Sequence, residues 1–194
     1  MTTVVMDWSR FSIFEWFVCG LNPKSPSFGA ANVRCTDGRS IDFHDKLGVV
    51  AAMGDQLTKS VAMVIMTEGK SQRDYEYVRN HLAKIMIDGA EKDKRREPKG
   101  IAIYHLAWLI ARIVIDFALD PELENAHKDP GRLVYAGIRS FQMDPEVYRK
   151  TWKRYEDMMI AALNEEILKA TVIAERYKKE TLNEQEISFH FCAI

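Results

Sequence analysis

Apolar residues recur at helical spacing along most of the chain. Trp8, Phe11, Phe14, Trp16 and Phe17 form an aromatic run that Gly20 can end. The next stretch, Leu21 to Ser40, carries Pro23, Pro26, Gly29 and Gly38 among small polar residues, which predicts a surface loop with a short strand. From Asp42 the helical period returns through Leu47, Val50, Ala51 and Gly54, and again through Leu57, Val61 and Val64, until Gly69 breaks it. Ser71 with Asp74 three positions on reads as a helix start. Val78, Leu82 and Ile85 then share one face, with a stop near Gly89.

Glu91 to Gly100 is a charged connector. Ile101 to Leu119 is the most apolar run, yet it contains His105, Arg112 and Asp116. A charge at the centre of a membrane span costs roughly 2.5–3.5 kcal/mol. Arg112 and Asp116 stand one helical turn apart and can pair, so the run reads as a buried helix with no membrane role. A loop, DPELENAHKDPG, follows. Gly131 to Phe141 predicts a short helix with Leu133, Val134, Ile138 and Phe141 apolar, and Gln142 with Met143 make a turn. Asp144 suits an N-cap and Pro145 the first helical position. The helix launched there runs to about Lys179, with Tyr148, Trp152, Tyr155, Met159, Leu163, Ile167 and Ala170 on one face.

The fold class that follows is mainly α. A single-domain helical bundle is expected, with a C-terminal helix-turn-helix over residues 131–160 and a long terminal helix. An aromatic segment (1–20) precedes the helical domain (21–180), and a tail (181–194) follows it.

Composition narrows this picture. The 194 residues are 47% hydrophobic and 28% charged, which is globular, and the net charge is −1. Any nucleic-acid surface must therefore be local. Cys19, Cys35 and Cys192 have no C-x-x-C spacing, so neither a disulfide framework nor a zinc site is expected, and no cofactor is implied. The first residues lack a signal-peptide pattern and the FCAI end is not a prenylation box, so a cytoplasmic location is expected.

Candidate chemistry concentrates after Asp144. Arg149, Lys150, Lys153 and Arg154 fall in the early turns of the second helix, off its apolar stripe, where a helix-turn-helix meets the major groove. Glu146, Glu156 and Asp157 stand close enough to pair with them, so a solvated face remains the alternative. Gly69-Lys70-Ser71 lacks the glycine of a phosphate loop, since Val64 stands at that position. His44-Asp45 has no second histidine-rich helix, and His81, His105, His127 and His190 are isolated. No serine or cysteine lies in a nucleophile motif, and the chain is not expected to be an enzyme.

Four stretches occur in an order found elsewhere. They are NPKSP (Asn22–Pro26), VVAAMG (Val49–Gly54), LAWLIARIVIDFA, and RLVYAGIRSFQMDPEVYRKTWKRYEDMMIAALNEE. Together they resemble, over Asn22 to Glu180, the Q antitermination proteins of lambdoid bacteriophages, where SPKSP, VMAAMG and a related basic–aromatic helix occur in the same order. The lambda-type members carry a zinc finger of two C-x-x-C pairs where this chain has only DPELENAHKDPG, so the finger is absent and no metal is implied.

The resemblance implies a late-gene antitermination factor. Such a factor binds double-stranded DNA overlapping its promoter and loads onto host RNA polymerase while the primary sigma factor is attached. It contacts the flap at the RNA exit channel, with NusA assisting, and suppresses pausing and termination. A factor of this kind needs a DNA-reading element, which is expected at Arg149, Lys150, Thr151, Lys153 and Arg154, with Arg139 as a candidate phosphate contact. A second cluster, Lys92, Lys94, Arg95, Arg96 and Lys99, either approaches nucleic acid or is a solvated linker. Two other readings share the helix. One is a helix-turn-helix regulator that stays at its operator, and the other a helical adaptor that never touches DNA.

Overall fold

The computed structural model of the chain describes Met6 and residues 8–18, 43–127 and 131–192. The Leu21–Ser40 stretch, where a surface loop with a short strand is expected, lies outside the described residues with its NPKSP motif, as do Cys19 and Cys35 and the side chains of His44, Asp45, His190 and Cys192. The described chain is helical, with no strand among these residues.

The helices in order are α1 (Ser12–Val18), α2 (Phe43–Ala52), α3 (Gln56–Met66), α4 (Gln72–Lys92), α5 (Ile103–Leu119), α6 (Pro121–Ala126), α7 (Gly131–Ala136) and α8 (Pro145–Val147). A π-helical turn (Tyr148–Trp152) then joins α8 to α9 (Lys153–Cys192). Helix α9 packs against α1, α2, α3, α4 and α5. The buried apolar residues form one continuous cluster. The stripe expected on the last helix, from Tyr148 to Ala170, is buried throughout. Phe11, Phe14 and Phe17 are core residues too, so these three aromatics of the N-terminal segment are internal packing. Arg10 fastens that segment, donating to the Asn164 amide oxygen at 2.9 Å and the Ala118 carbonyl at 3.3 Å.

Capping explains most boundaries. Asp55 interrupts the run after Gly54 by accepting from the backbone N–H groups of Leu57 and Thr58 at 3.0 and 3.1 Å, which starts α3 afresh. Ser71 does not cap α4 with its side chain. Its hydroxyl donates instead to Asp74 at 2.5 Å, while the other Asp74 oxygen accepts from Ser60 of α3. Gly89 does not end α4, which continues to Lys92. A Cβ there would stand 3.0 Å from the Tyr155 ring, so glycine at this position lets α9 approach. The DPELEN stretch is helical rather than a loop, because Asp120 accepts from Glu122 and Leu123, each at 3.1 Å, and so caps α6.

The expected helix from Gly131 to Phe141 ends at Ala136. Gly137 at φ +83° breaks it. The Ile138 N–H reaches back to the Leu133 carbonyl and the Gly137 N–H to Val134, both at 2.9 Å, a Schellman closure. Eight residues, Gly137 to Asp144, therefore separate α7 from α8 in place of the short turn expected at Gln142 and Met143. Among the described residues no helix is long and apolar enough to cross a membrane.

The Arg112–Asp116 pair forms, at 3.4 Å. Asp116 is buried and also accepts from the hydroxyls of Tyr75 (2.7 Å) and Tyr135 (2.9 Å), so one carboxylate ties α4, α5 and α7 together. Burial, reinforced by the Asp116 charge, pushes the Tyr135 hydroxyl up to about 12 and Tyr75 higher still. The folded chain thus holds these two protons more tightly than the unfolded chain does. Their contribution to stability is whole below the ordinary tyrosine value of 10.0 and is lost as pH rises through the folded values. Urea midpoints measured from pH 8 upward should fall beyond about pH 10. The fall should shrink in Tyr75→Phe and Tyr135→Phe.

Gly100 lies against the turn before α8. A Cβ on it would stand 2.5 Å from the Gln142 carbonyl oxygen and 2.6 Å from Gln142 Cα. Because the obstacle is backbone, Gly100→Ala is expected to cost about 1–3 kcal/mol in a denaturant melt. Gly131→Ala meets nothing within 4 Å among the described residues and should cost nothing measurable.

Candidate nucleic-acid interface

The start of the last helix is built as the sequence predicts. Asp144 Oδ1 accepts from the N–H groups of Glu146 (2.8 Å) and Val147 (3.2 Å), and Pro145 fills the first helical position. The next turn is π-helical, with the Lys153 N–H bonded to the Tyr148 carbonyl five residues back. This wider turn accommodates one extra residue while Tyr148 and Trp152 both remain buried.

The six predicted site residues do not share one environment. Arg149 and Lys150 are 64% and 69% exposed and both reach Glu146, at 2.9 and 3.0 Å. Lys150 and then Arg149 hold the Glu146 carboxyl below its ordinary range. Arg154 is 54% exposed, pairs with Asp93 at 2.9 Å and lies over the Tyr155 ring. Arg139 is exposed and its guanidinium sits 6.0 Å from the Phe141 ring. Thr151 is partly buried.

Lys153 differs from the other four bases. Only 27% exposed, it turns inward to Glu156 at 2.9 Å, with Asp157 at 3.5 Å. Glu156 is fully buried. It accepts from the Tyr148 hydroxyl at 2.5 Å, and Arg132 Nε lies 2.7 Å away. Arg132 in turn donates to Glu124 at 3.0 Å and stacks over Phe117. Lys153 therefore serves as counter-charge to a buried acid, and the exposed cationic set is Arg139, Arg149, Lys150 and Arg154. Read for its charge, Glu156 looks like a surface partner, and nothing near it in the chain points to Arg132. Position tells more than charge here: Glu156 falls one turn after Trp152 and three residues before Met159, on the apolar stripe itself.

The fold also brings the α4–α5 connector to the start of α9. Asp93 accepts from the Tyr155 hydroxyl at 2.6 Å as well as pairing with Arg154, and Arg95 Nε donates to that hydroxyl at 3.4 Å. The Tyr155 hydrogen bond, with the Arg154 charge, holds the Asp93 carboxyl below its usual range.

No cluster of three or more histidine, cysteine, aspartate or glutamate side chains arranged to hold a metal occurs among the described residues. His127 turns its Nδ1 to the Leu123 carbonyl at 3.0 Å, closing α6, and His81 lines a cavity of about 200 Å³ between α3, α4 and α9. Compared with protein-family models, curated proteins and solved structures, the chain matches none of them.

Proposed function

We propose that this chain is a phage late-gene transcription antitermination factor of the Q type. On this reading it binds promoter DNA, transfers to host RNA polymerase at the flap beside the RNA exit channel, and suppresses pausing and termination. Helix α7, the Gly137–Asp144 turn and the α8–α9 rod act as an open helix-turn-helix. The observation that carries the DNA half is a capped helix start presenting Arg149, Lys150 and Arg154 to solvent, with Arg139 exposed on the turn before it. Their partners Glu146 and Asp93 are themselves solvent-accessible. Exposed ion pairs are weak, so phosphate oxygens can take the place of the carboxylates at little cost. The polymerase half is supported by the order of the four stretches that resemble the Q proteins.

The test is transcription by purified polymerase from a template carrying the late promoter and a downstream intrinsic terminator. The protein should raise readthrough, and should co-purify with stalled elongation complexes. Binding at the promoter with readthrough unchanged, and no protein on elongating polymerase, would leave a regulator that stays at its operator.

A further inference from the structure

Beside the start of α9, exposed positive charge also stands on the connector. Arg149, Lys150, Lys153 and Arg154 each hold an acidic partner. Lys94, Arg96 and Lys99 of the connector are exposed and make no ion pair with a described residue. Two connector acids are engaged internally. Asp93 holds Arg154 and Tyr155, and Glu97 accepts from the Ile103 N–H at 2.9 Å, at the start of α5.

The connector is fastened to the α7–α8 turn and to the start of α9. Gly100 rests on Gln142, and Asp93 and Arg95 meet Tyr155. Two basic clusters some fifty residues apart thus lie side by side. Residues 91–100 and 139–157 together hold ten bases and seven acids, an excess of three on a chain of net charge −1.

Phe141 stands in the same neighbourhood and is 74% exposed. Its turn is stiff. The Gln142 side chain accepts from the Arg139 N–H at 2.9 Å, the Gln142 and Met143 N–H groups return to the Arg139 carbonyl, and Ile138 and Met143 are buried on either side. An aromatic ring held in solvent on a rigid turn, beside an arginine and among cations, suits an anionic partner that also offers flat apolar faces. Duplex DNA opened at one base step has both properties.

We propose that the connector and the Arg139–Gln142 turn form the second half of a duplex-DNA face, in which Lys94, Arg96 and Lys99 bind backbone phosphates and Phe141 wedges into a base step. This rests on the reading that the α8–α9 start meets DNA. The experiment separates the two. The full chain is titrated against a mixed-sequence duplex of about 30 base pairs over a range of salt concentrations, and against the same duplex carrying 2-aminopurine.

Lys94→Ala/Arg96→Ala/Lys99→Ala is expected to reduce the slope of log affinity against log salt by roughly two to three. Phe141→Ala is expected to keep the wild-type slope, bind roughly tenfold more weakly, and lose the rise in 2-aminopurine fluorescence. Circular dichroism melts check that each variant folds, and Arg96→Gln and Lys99→Gln singles replace the triple variant if it does not. An unchanged slope in the connector variants, with a reduced slope in Arg149→Ala/Lys150→Ala, overturns this inference and leaves the helix reading standing. The reverse pattern, with the affinity of Arg149→Ala/Lys150→Ala also unchanged, overturns the helix reading and retains the connector. A wild-type fluorescence rise that survives in Phe141→Ala removes the wedge, and a wild-type chain that binds no duplex overturns both.

Discussion

Replacing Glu156 with alanine is expected to destabilise the chain by about 3–5 kcal/mol, measured as a shift in the guanidinium midpoint with little change in slope. The carboxylate is fully buried and is the common partner of Arg132, Lys153 and the Tyr148 hydroxyl. Truncation removes the buried counter-charge from a guanidinium that then keeps only the half-exposed Glu124, takes away the carboxylate that the Tyr148 hydroxyl donates to, and opens a void beside the π-helical turn. Lys153 retains some solvent access and Asp157 within reach, so it suffers least. Glu156→Gln keeps an acceptor for Tyr148 but loses the charge, and should fall between wild type and alanine. Combining Glu156→Ala with Arg132→Met should recover part of the loss, because it removes a nearly buried cation that has lost its buried counter-charge. A loss below about 1 kcal/mol for Glu156→Ala would mean that the cluster does not brace the start of α9.

The second large effect is on binding. If Arg149 and Lys150 read guanine edges, Arg149→Ala/Lys150→Ala is expected to lower duplex affinity by roughly ten- to a hundredfold for each of the two side chains. If they grip phosphates instead, the salt slope drops by about two and affinity falls alike for all sequences. Folding stability should scarcely change, since both side chains are exposed and share one exposed carboxylate. Lys153→Ala should show the opposite pattern, with stability reduced because Glu156 loses a counter-charge, and with less effect on DNA. A double variant that binds every duplex as the wild type does would remove the helix start from the interface.

Much of the candidate site is legible in the sequence, and the part that is not has a definite cause. Asp144 and Pro145 announce the helix start because capping is a contact between near neighbours, two or three residues along. Asp120-Pro121 carries the same signal and caps α6, although the polar stretch around it reads as a loop. Gly137 marks the end of α7, but an apolar period running on through Ile138 and Phe141 conceals it. Glu156 reads as a surface acid only while its charge outweighs its position, since its spacing from Trp152 and Met159 puts it inside.

Sequence alone determined the helical class, the buried stripe from Tyr148 to Ala170, the Arg112–Asp116 pair and the capped start of the last helix. Each depends on residues within a turn or two of one another, where backbone geometry leaves few options. Tertiary structure decided which cations face outward. Lys153 is committed inward because the buried Glu156, which it shares with Arg132 from twenty-one positions earlier, draws it there. The connector meets the turn before α8 because Gly100 admits the Gln142 backbone and Tyr155 anchors Asp93. Those choices depend on which helix faces pack together, and no local period in the chain encodes that.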